Sequence, residues 1–316
     1  MIIWLASYPK SGNTWLRSLI ANYYFSETGD FNFELLEKID SFPSNKYFRK
    51  YLDKFNQPHD TSKYWIKEQE KINQSKGLKF FKTHNALCKI DGNQFTNKEN
   101  TVGVIYIVRD PRNVISSLSN HYQISVDEAF QFMTDEKRGI VSKEKDRFLG
   151  FQAIFSWKLN QKSWVDNKLY PVLTVRYEDL QSDALNTFKQ VINFIHKISK
   201  SDEKFNKEKA LKCIRNCNFN NLKKLEDEKG FAEAITKKGS DEKIKFFNLG
   251  KDNDYRKLLN ENLINKMNKI MEEIIKYYQE NKEQFWKDCL LSNEEDRQYL
   301  YNDWIEDYFK TSTLNK

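Results

Sequence analysis

The chain opens on an apolar run, Ile2-Ile3-Trp4-Leu5-Ala6, that gives way to Ser7-Tyr8-Pro9-Lys10-Ser11-Gly12-Asn13 before apolar positions resume at helical spacing over residues 16–25. This pattern predicts a buried strand, a turn broken at Pro9 and Gly12, and a helix entered at Thr14. Residues 78–84 form a short apolar-flanked strand ending at His84, and 101–108 are almost uninterrupted apolar residues, as in the middle of a parallel sheet. Arg109 and Asp110 end that run, and Pro111 opens a helix reaching Tyr122. Residues 171–175 predict another strand, followed by a helix over 182–195. Residues 31–39, 47–71, 126–133 and 143–165 read as helices, with polar turns around Pro43 and Pro58. Strand, loop and helix repeated in this way predict an α/β fold of three layers, a central parallel sheet flanked by helices. Over 230–254 charges dominate and a mobile loop is expected. Residues 258–278 return as an amphipathic helix, and 285–309 form an acidic, aromatic tail, either packed on the chain's own core or offered as a lid or dimer contact.

The first turn carries chemistry. A strand that passes through a Gly-containing loop into a helix brings backbone N–H groups and a helix N-terminus to one small volume, which suits an anion. In the register of a Walker loop, Ser7 takes the first glycine position, Gly12 the second, Asn13 the lysine position and Thr14 the hydroxyl position. The lysine that a nucleoside triphosphate needs is replaced by asparagine, and Lys10 stands inside the loop instead. A P-loop NTPase-like fold serving a phosphate-like group other than a triphosphate is the expectation.

Charge narrows this only slightly. The formal net charge of +7 favours an anionic ligand, but lysine is used all along the chain and no nucleic-acid-binding motif accompanies it, so nucleic acid is not an expected partner. Cys88, Cys213, Cys217 and Cys289 include no CxxC pair, and Cys213 and Cys217 have the spacing of one helix face, so neither a metal site nor an oxidising compartment is implied. The N-terminus enters a strand without a basic, apolar or cleavage-site segment, and a soluble cytoplasmic protein without a membrane span is expected.

Three features fall at the ends of three predicted parallel strands: the Lys10 loop, Lys82-Thr83-His84, and Arg109 with Ser117 eight residues on. With YPKSGNTW, FKTHN, IYIVRDPRNVISS and VRYEDL in this order, and FNNLKKLE and FFNLGKDNDYRKLL more weakly, the chain resembles the sulfotransferases that use 3′-phosphoadenosine 5′-phosphosulfate (PAPS), of the soluble, cytosolic-type or bacterial branch. The resemblance implies a sulfotransferase domain over 1–282 and leaves 283–316 as a helical extension. It implies that Lys10, Ser11, Gly12, Asn13 and Thr14 hold the 5′-phosphosulfate, with Trp15 and Tyr177 near the adenine, Phe219 lining its pocket, and Arg109 and Ser117 on the 3′-phosphate. His84 would be the general base, its unperturbed pKa near ~6.5 suiting that task. Lys82 would steady the transferring sulfonate, and Lys10 would sit where charge builds on the leaving oxygen, a use of preorganised charge worth ~3–4 kcal/mol by analogy with oxyanion-hole donors. No metal is implied, and the product is 3′-phosphoadenosine 5′-phosphate (PAP).

The chain departs from the family at its late loop. Asn248 and Leu249 stand where the family has the basic pair of a second 3′-phosphate clamp, Arg-Lys-Gly, and only Gly250 is kept. Lys243, Lys245, Lys251 and Arg256 are the neighbours that could supply the charge. The acceptor, a hydroxyl or amine on a small molecule, glycan or lipid, is not specified, and a homodimer is left open. Two rivals remain at this point. A phosphotransferase is opposed by Asn13 and the lack of an evident second carboxylate; a non-catalytic nucleotide-binding protein is opposed by Lys82 and His84, which mere binding does not need.

Overall fold

Strand β1 (Ile2–Ser7) is buried along its length because both faces of the sheet around it are covered. Ile2, Trp4 and Ala6 face a core containing Phe42, Phe95 and Trp164, while Ile3 and Leu5 face a second core with Leu16, Leu19, Phe188 and Val191. Side chains alternate across a strand, so a strand between two apolar layers must be apolar at every position. The structure is a computed structural model and describes residues 1–144, 147–237 and 239–280.

After β1 come α1 (Asn13–Phe25), β2 (Asp40–Ser41), α2 (Trp65–Gln74), β3 (Lys79–Thr83) and β4 (Thr101–Val108). Next are α3 (Pro111–Tyr122), α4 (Val126–Thr134), β5 (Gly139–Glu144), β6 (Arg147–Ala153) and α5 (Trp157–Val165). The chain continues through β7 (Val172–Arg176), α6 (Tyr177–Ser182), α7 (Ala184–Ser199), α8 (Lys207–Asn216), α9 (Phe219–Lys229) and α10 (Glu261–Glu280). The main sheet has the order β2-β3-β1-β4-β7, and every pair in it is parallel. The predicted three-layer α/β fold with a central parallel sheet is therefore present. Registers Ala6 to Thr83, Ser7 to Ile107 and Ile107 to Val175 bring the ends of β1, β3, β4 and β7 to one edge of the sheet. Open parallel sheets place ligands outside that edge.

Three predicted helices are corrected. Residues 31–39 give only a 3₁₀ segment, Phe33–Lys38, and within 47–71 the chain runs mostly as short 3₁₀ pieces before α2. Residues 143–165 read as one helix, yet β5 and β6 form an antiparallel hairpin and the helix starts only at Trp157. Tertiary contacts decide this. The Phe151 ring stacks on Trp65 with centroids 6.1 Å apart, and the end of β6 is bonded at Ala153 by both Ala86 N–H, at 2.7 Å, and Asn85 Oδ1, at 2.8 Å. Non-local pairing of this sort overrides local periodicity.

The charged stretch after α9 is short of regular structure but packed down. Phe231, Ala234 and Phe247 are buried, and the Glu226 carboxylate accepts the backbone N–H groups of Phe246 and Phe247. Cys213 and Cys217 are buried free thiols. Among the described residues no helix is long and apolar enough to cross a membrane. The expected extension at 283–316, with Cys289 and the aromatic tail, lies outside the described residues.

Candidate active site

The turn after β1 is shaped by two residues in the left-handed region, Lys10 at φ 66° and Gly12 at φ 100°. Gly12 caps α1, its carbonyl accepting from Trp15 and Leu16 N–H. The Asn13 side chain turns back, donating to Leu5 O at 2.9 Å and Ser7 Oγ at 3.2 Å, so it stitches the loop to β1. Ser11 is buried behind the loop with its hydroxyl unpartnered and does not reach the wall of the cavity in front. That cavity, of about 300 Å³, lies outside the carboxyl ends of the strands, and Lys10, Gly12, Asn13, Thr14 and Trp15 form one side of it.

At the end of β3, Lys82 and His84 enter the same cavity. His84 Nδ1 is 2.9 Å from the Ser7 carbonyl oxygen and 3.2 Å from Ser7 Oγ. A carbonyl can only accept, so Nδ1 carries the proton and Nε2 keeps its lone pair. The backbone of His84 is held on both sides, its N–H by Gln152 Oε1 and its carbonyl by Asn160 Nδ2, each at 3.0 Å. Burial, reinforced by Lys82, lowers the imidazole pKa to about 3, so His84 is neutral at neutral pH. Burial and the neighbouring Lys82 likewise lower Lys10 to about 7. The Lys10 ammonium lies 3.6 Å from the Phe246 ring centroid.

The end of β4 supplies Arg109, whose guanidinium stacks 4.2 Å from the centroid of Tyr177, the first residue of α6. Its Nη1 donates to Lys10 O at 3.4 Å, and its Nε is buried without a partner. Trp15 meets Tyr177 edge-on at 5.4 Å, and its indole Nε1 is also buried and unpartnered. Ser117 lies on the wall in the second turn of α3. Its neighbour Ser116 gives its hydroxyl to Asn253 Oδ1 at 2.5 Å, which ties the late loop to α3. Gly250 closes the far side against Phe219, where a β-carbon would stand 2.6 Å from Cε1. A model of the sulfotransferase domain matches residues 2–282.

The chain belongs to the sulfotransferase family. It is 26% identical over 280 residues to the flavonol 3-sulfotransferase of Flaveria bidentis, covering 86% of this chain and 80% of that one. Against the flavonol 4′-sulfotransferase of Flaveria chlorifolia it is 25% identical over 289 residues, covering 86% and 78%. A crystal structure of retinol dehydratase with androsterone and inactive cofactor PAP shares the fold at TM-score 0.53 and 16% identity, over 93% of this chain and 83% of that one.

This sulfotransferase brings further residues to the cavity that local sequence motifs did not mark. Glu233 takes Lys82 Nζ at 2.8 Å and Arg17 Nη2 at 2.5 Å on its two oxygens, and Thr14 Oγ1 lies 3.5 Å away. Burial opposes ionisation of this carboxyl, but Lys82 and Arg17 outweigh it and hold the group well below the usual carboxylate range. His121 lines the wall four residues after Ser117, and burial, then Lys10, lower it to about 3. Gln152 arrives on β6. The basic neighbours expected at the late loop do not: none of Lys243, Lys245, Lys251 and Arg256 lines the cavity, Lys245 pairs with Asp227, and Arg256 pairs with Asp254 at 2.9 Å. Among the described residues the lysines and arginines on the wall are Lys10, Lys82 and Arg109.

Proposed function

We propose that this sulfotransferase moves a sulfonate group from PAPS to a hydroxyl or amine, with His84 taking the acceptor proton. The observation that carries the reading is the Nδ1 contact to Ser7 O, which leaves Nε2 unprotonated on the wall shared with Lys82 and the first loop. The cavity fits a nucleotide bearing anionic groups at both ends of its ribose. Lys10, Lys82 and the N-terminus of α1 face one end, and Arg109 with Ser117 the other. Two lining residues carry buried, unpartnered donors, Trp15 Nε1 and Arg109 Nε. The donor, when bound, supplies an activated sulfur with a phosphate leaving group.

Each residue then has a stated task. Lys10 and Thr14 face the leaving phosphate, Gly12 and Asn13 set the loop that presents backbone N–H groups to it, and Ser11 contributes through the loop backbone alone. Lys82 holds the sulfonate. Arg109 and Ser117 hold the 3′-phosphate, with the late loop at Gly250 beside them, while Trp15, Tyr177 and Phe219 bound the adenine space. His84 accepts the proton at Nε2 as the acceptor oxygen or nitrogen attacks. Its depressed basicity comes from burial and Lys82, so negative charge beside Lys82 raises its proton affinity when the reaction needs it. We assign the acceptor to the half of the cavity bounded by Tyr122, Ile140 and Phe246, and take it to be a small molecule, glycan or lipid. A single domain over 1–282 and a cytoplasmic location belong to the same proposal.

Thermal unfolding with PAP, adenosine 5′-phosphosulfate and ATP-magnesium in parallel tests the donor. PAP at a hundred times its dissociation constant stabilises by ~2.7 kcal/mol, and Arg109→Ala abolishes that shift. Stabilisation by ATP-magnesium alone overturns the assignment.

A further inference from the structure

A carboxylate in a site built for an anion needs an explanation. Glu233 Oε2 accepts Lys82 Nζ at 2.8 Å and lies 3.5 Å from Thr14 Oγ1 in the first turn of α1, and Oε1 accepts Arg17 at 2.5 Å. Its backbone is fixed on both sides, because Phe231 and Ala234 are buried and the Phe231 ring packs on Phe33, Phe246 and Phe247. Glu233 is thus an anchored group rather than one carried on a free lid. Arg17, whose side chain is 4% exposed, offsets the carboxylate. The three charges together leave one positive, so Glu233 grips the lysine without cancelling it.

We propose that Glu233 is a positioning residue, holding the Lys82 ammonium against the first turn of α1 where it meets the transferring sulfonate. This rests on the donor assignment above. A lysine on a flexible four-carbon stem is otherwise free to rotate among donor directions, and two fixed carboxylate contacts on its partner define where the ammonium sits. Burial lowers the Lys82 pKa, and the Glu233 contact acts against that lowering. The groups facing this cluster are Lys10 in the loop, His84 at the end of β3, Arg17 and Thr14 on α1, and His121 on α3.

Positioning and charge make opposite predictions. Calorimetric binding of PAPS and PAP without acceptor isolates the sulfonate contact, because the two differ only in that group, and Lys82→Ala fixes the ratio expected when the contact is lost. Glu233→Gln lowers the preference for PAPS over PAP by about tenfold or more, the scale of one hydrogen bond to a charged group, toward the Lys82→Ala value. Glu233→Asp, with a shorter reach, gives an intermediate ratio, and it decides the matter if the glutamine variant fails to fold. Tighter binding of both nucleotides by Glu233→Gln would show that the carboxylate only competes with the donor, and an unchanged ratio in both variants would show a purely structural role. Either overturns the proposal. Failure of the unaltered chain to bind either nucleotide sinks the donor assignment itself, a result separate from these.

Discussion

The Tyr177 ring lies so close to Gly12 that a β-carbon at Gly12 would stand 2.5 Å from Tyr177 Cδ2. Residue 12 also has φ 100°, where side chains other than hydrogen are strained. Gly12→Ala therefore costs ~1–3 kcal/mol of stability from backbone strain and displaces the ring on which Arg109 stacks. Unfolding curves and PAP titration check this. Loss of stability with unaltered PAP affinity would show that Tyr177 and Arg109 do not depend on this approach.

Replacing His84 by alanine removes the proposed base and leaves the donor groups in place. Acceptor sulfonation falls by about 10²–10⁴-fold, while PAP binding is retained. Because the pKa of the free imidazole is lowered to about 3, the base form is already present at every pH above that value. The pH profile of kcat/KM then shows no acidic fall due to His84 between pH 5 and 7. A fall centred near the ordinary ~6.5 of histidine would contradict the buried, neutral imidazole.

Lys10 gives the opposite limb. With its pKa lowered to about 7, it is charged below that pH and neutral above it. Donor kcat/KM, which reports groups of the free enzyme, declines as pH rises through about 7. Lys10→Arg removes that decline, since guanidinium keeps its charge throughout. An alkaline decline identical in the arginine variant would assign it to another group.

At the late loop the wall lacks a lysine or arginine among the described residues, and Leu249 lies there 38% exposed. Leu249→Arg supplies a charge facing the proposed 3′-phosphate space and tightens PAP about fivefold, ~1 kcal/mol for a partly exposed charge contact, with no change for adenosine 5′-phosphate. Equal tightening of both would place the new charge elsewhere.

The parts of the site that were legible in the sequence are those written locally. The loop from Ser7 to Thr14, the Lys82 and His84 pair and Arg109 each start within two residues of a strand end, where an apolar run announces the strand and the polar residues announce its exit, and Ser117 follows on the helix that Pro111 opens. Glu233 carries no such announcement. It lies in a charge-rich stretch, and its partners Lys82 and Arg17 are far away along the chain, so only the fold brings them together. His121 did have a signal: it stands one helical turn from Ser117, on the same face of α3, and so could share its cavity. The β5 and β6 hairpin is not legible locally, because its apolar residues satisfy helical spacing, whereas its pairing is fixed by Trp65, Asn85 and Ala86 from distant segments.

That hairpin links two properties that might have been separate. Ile140 and Gln152 face each other across it and both line the cavity, while the Gln152 amide oxygen also secures the backbone of His84. Under the proposed reaction, the surface assigned to the acceptor is therefore the same piece of chain that braces the proposed base. On that reading, acceptor choice and turnover are not independently adjustable in descent: a lineage that rebuilt the hairpin around a new molecule would loosen its own His84 unless it kept a bond acceptor at position 152.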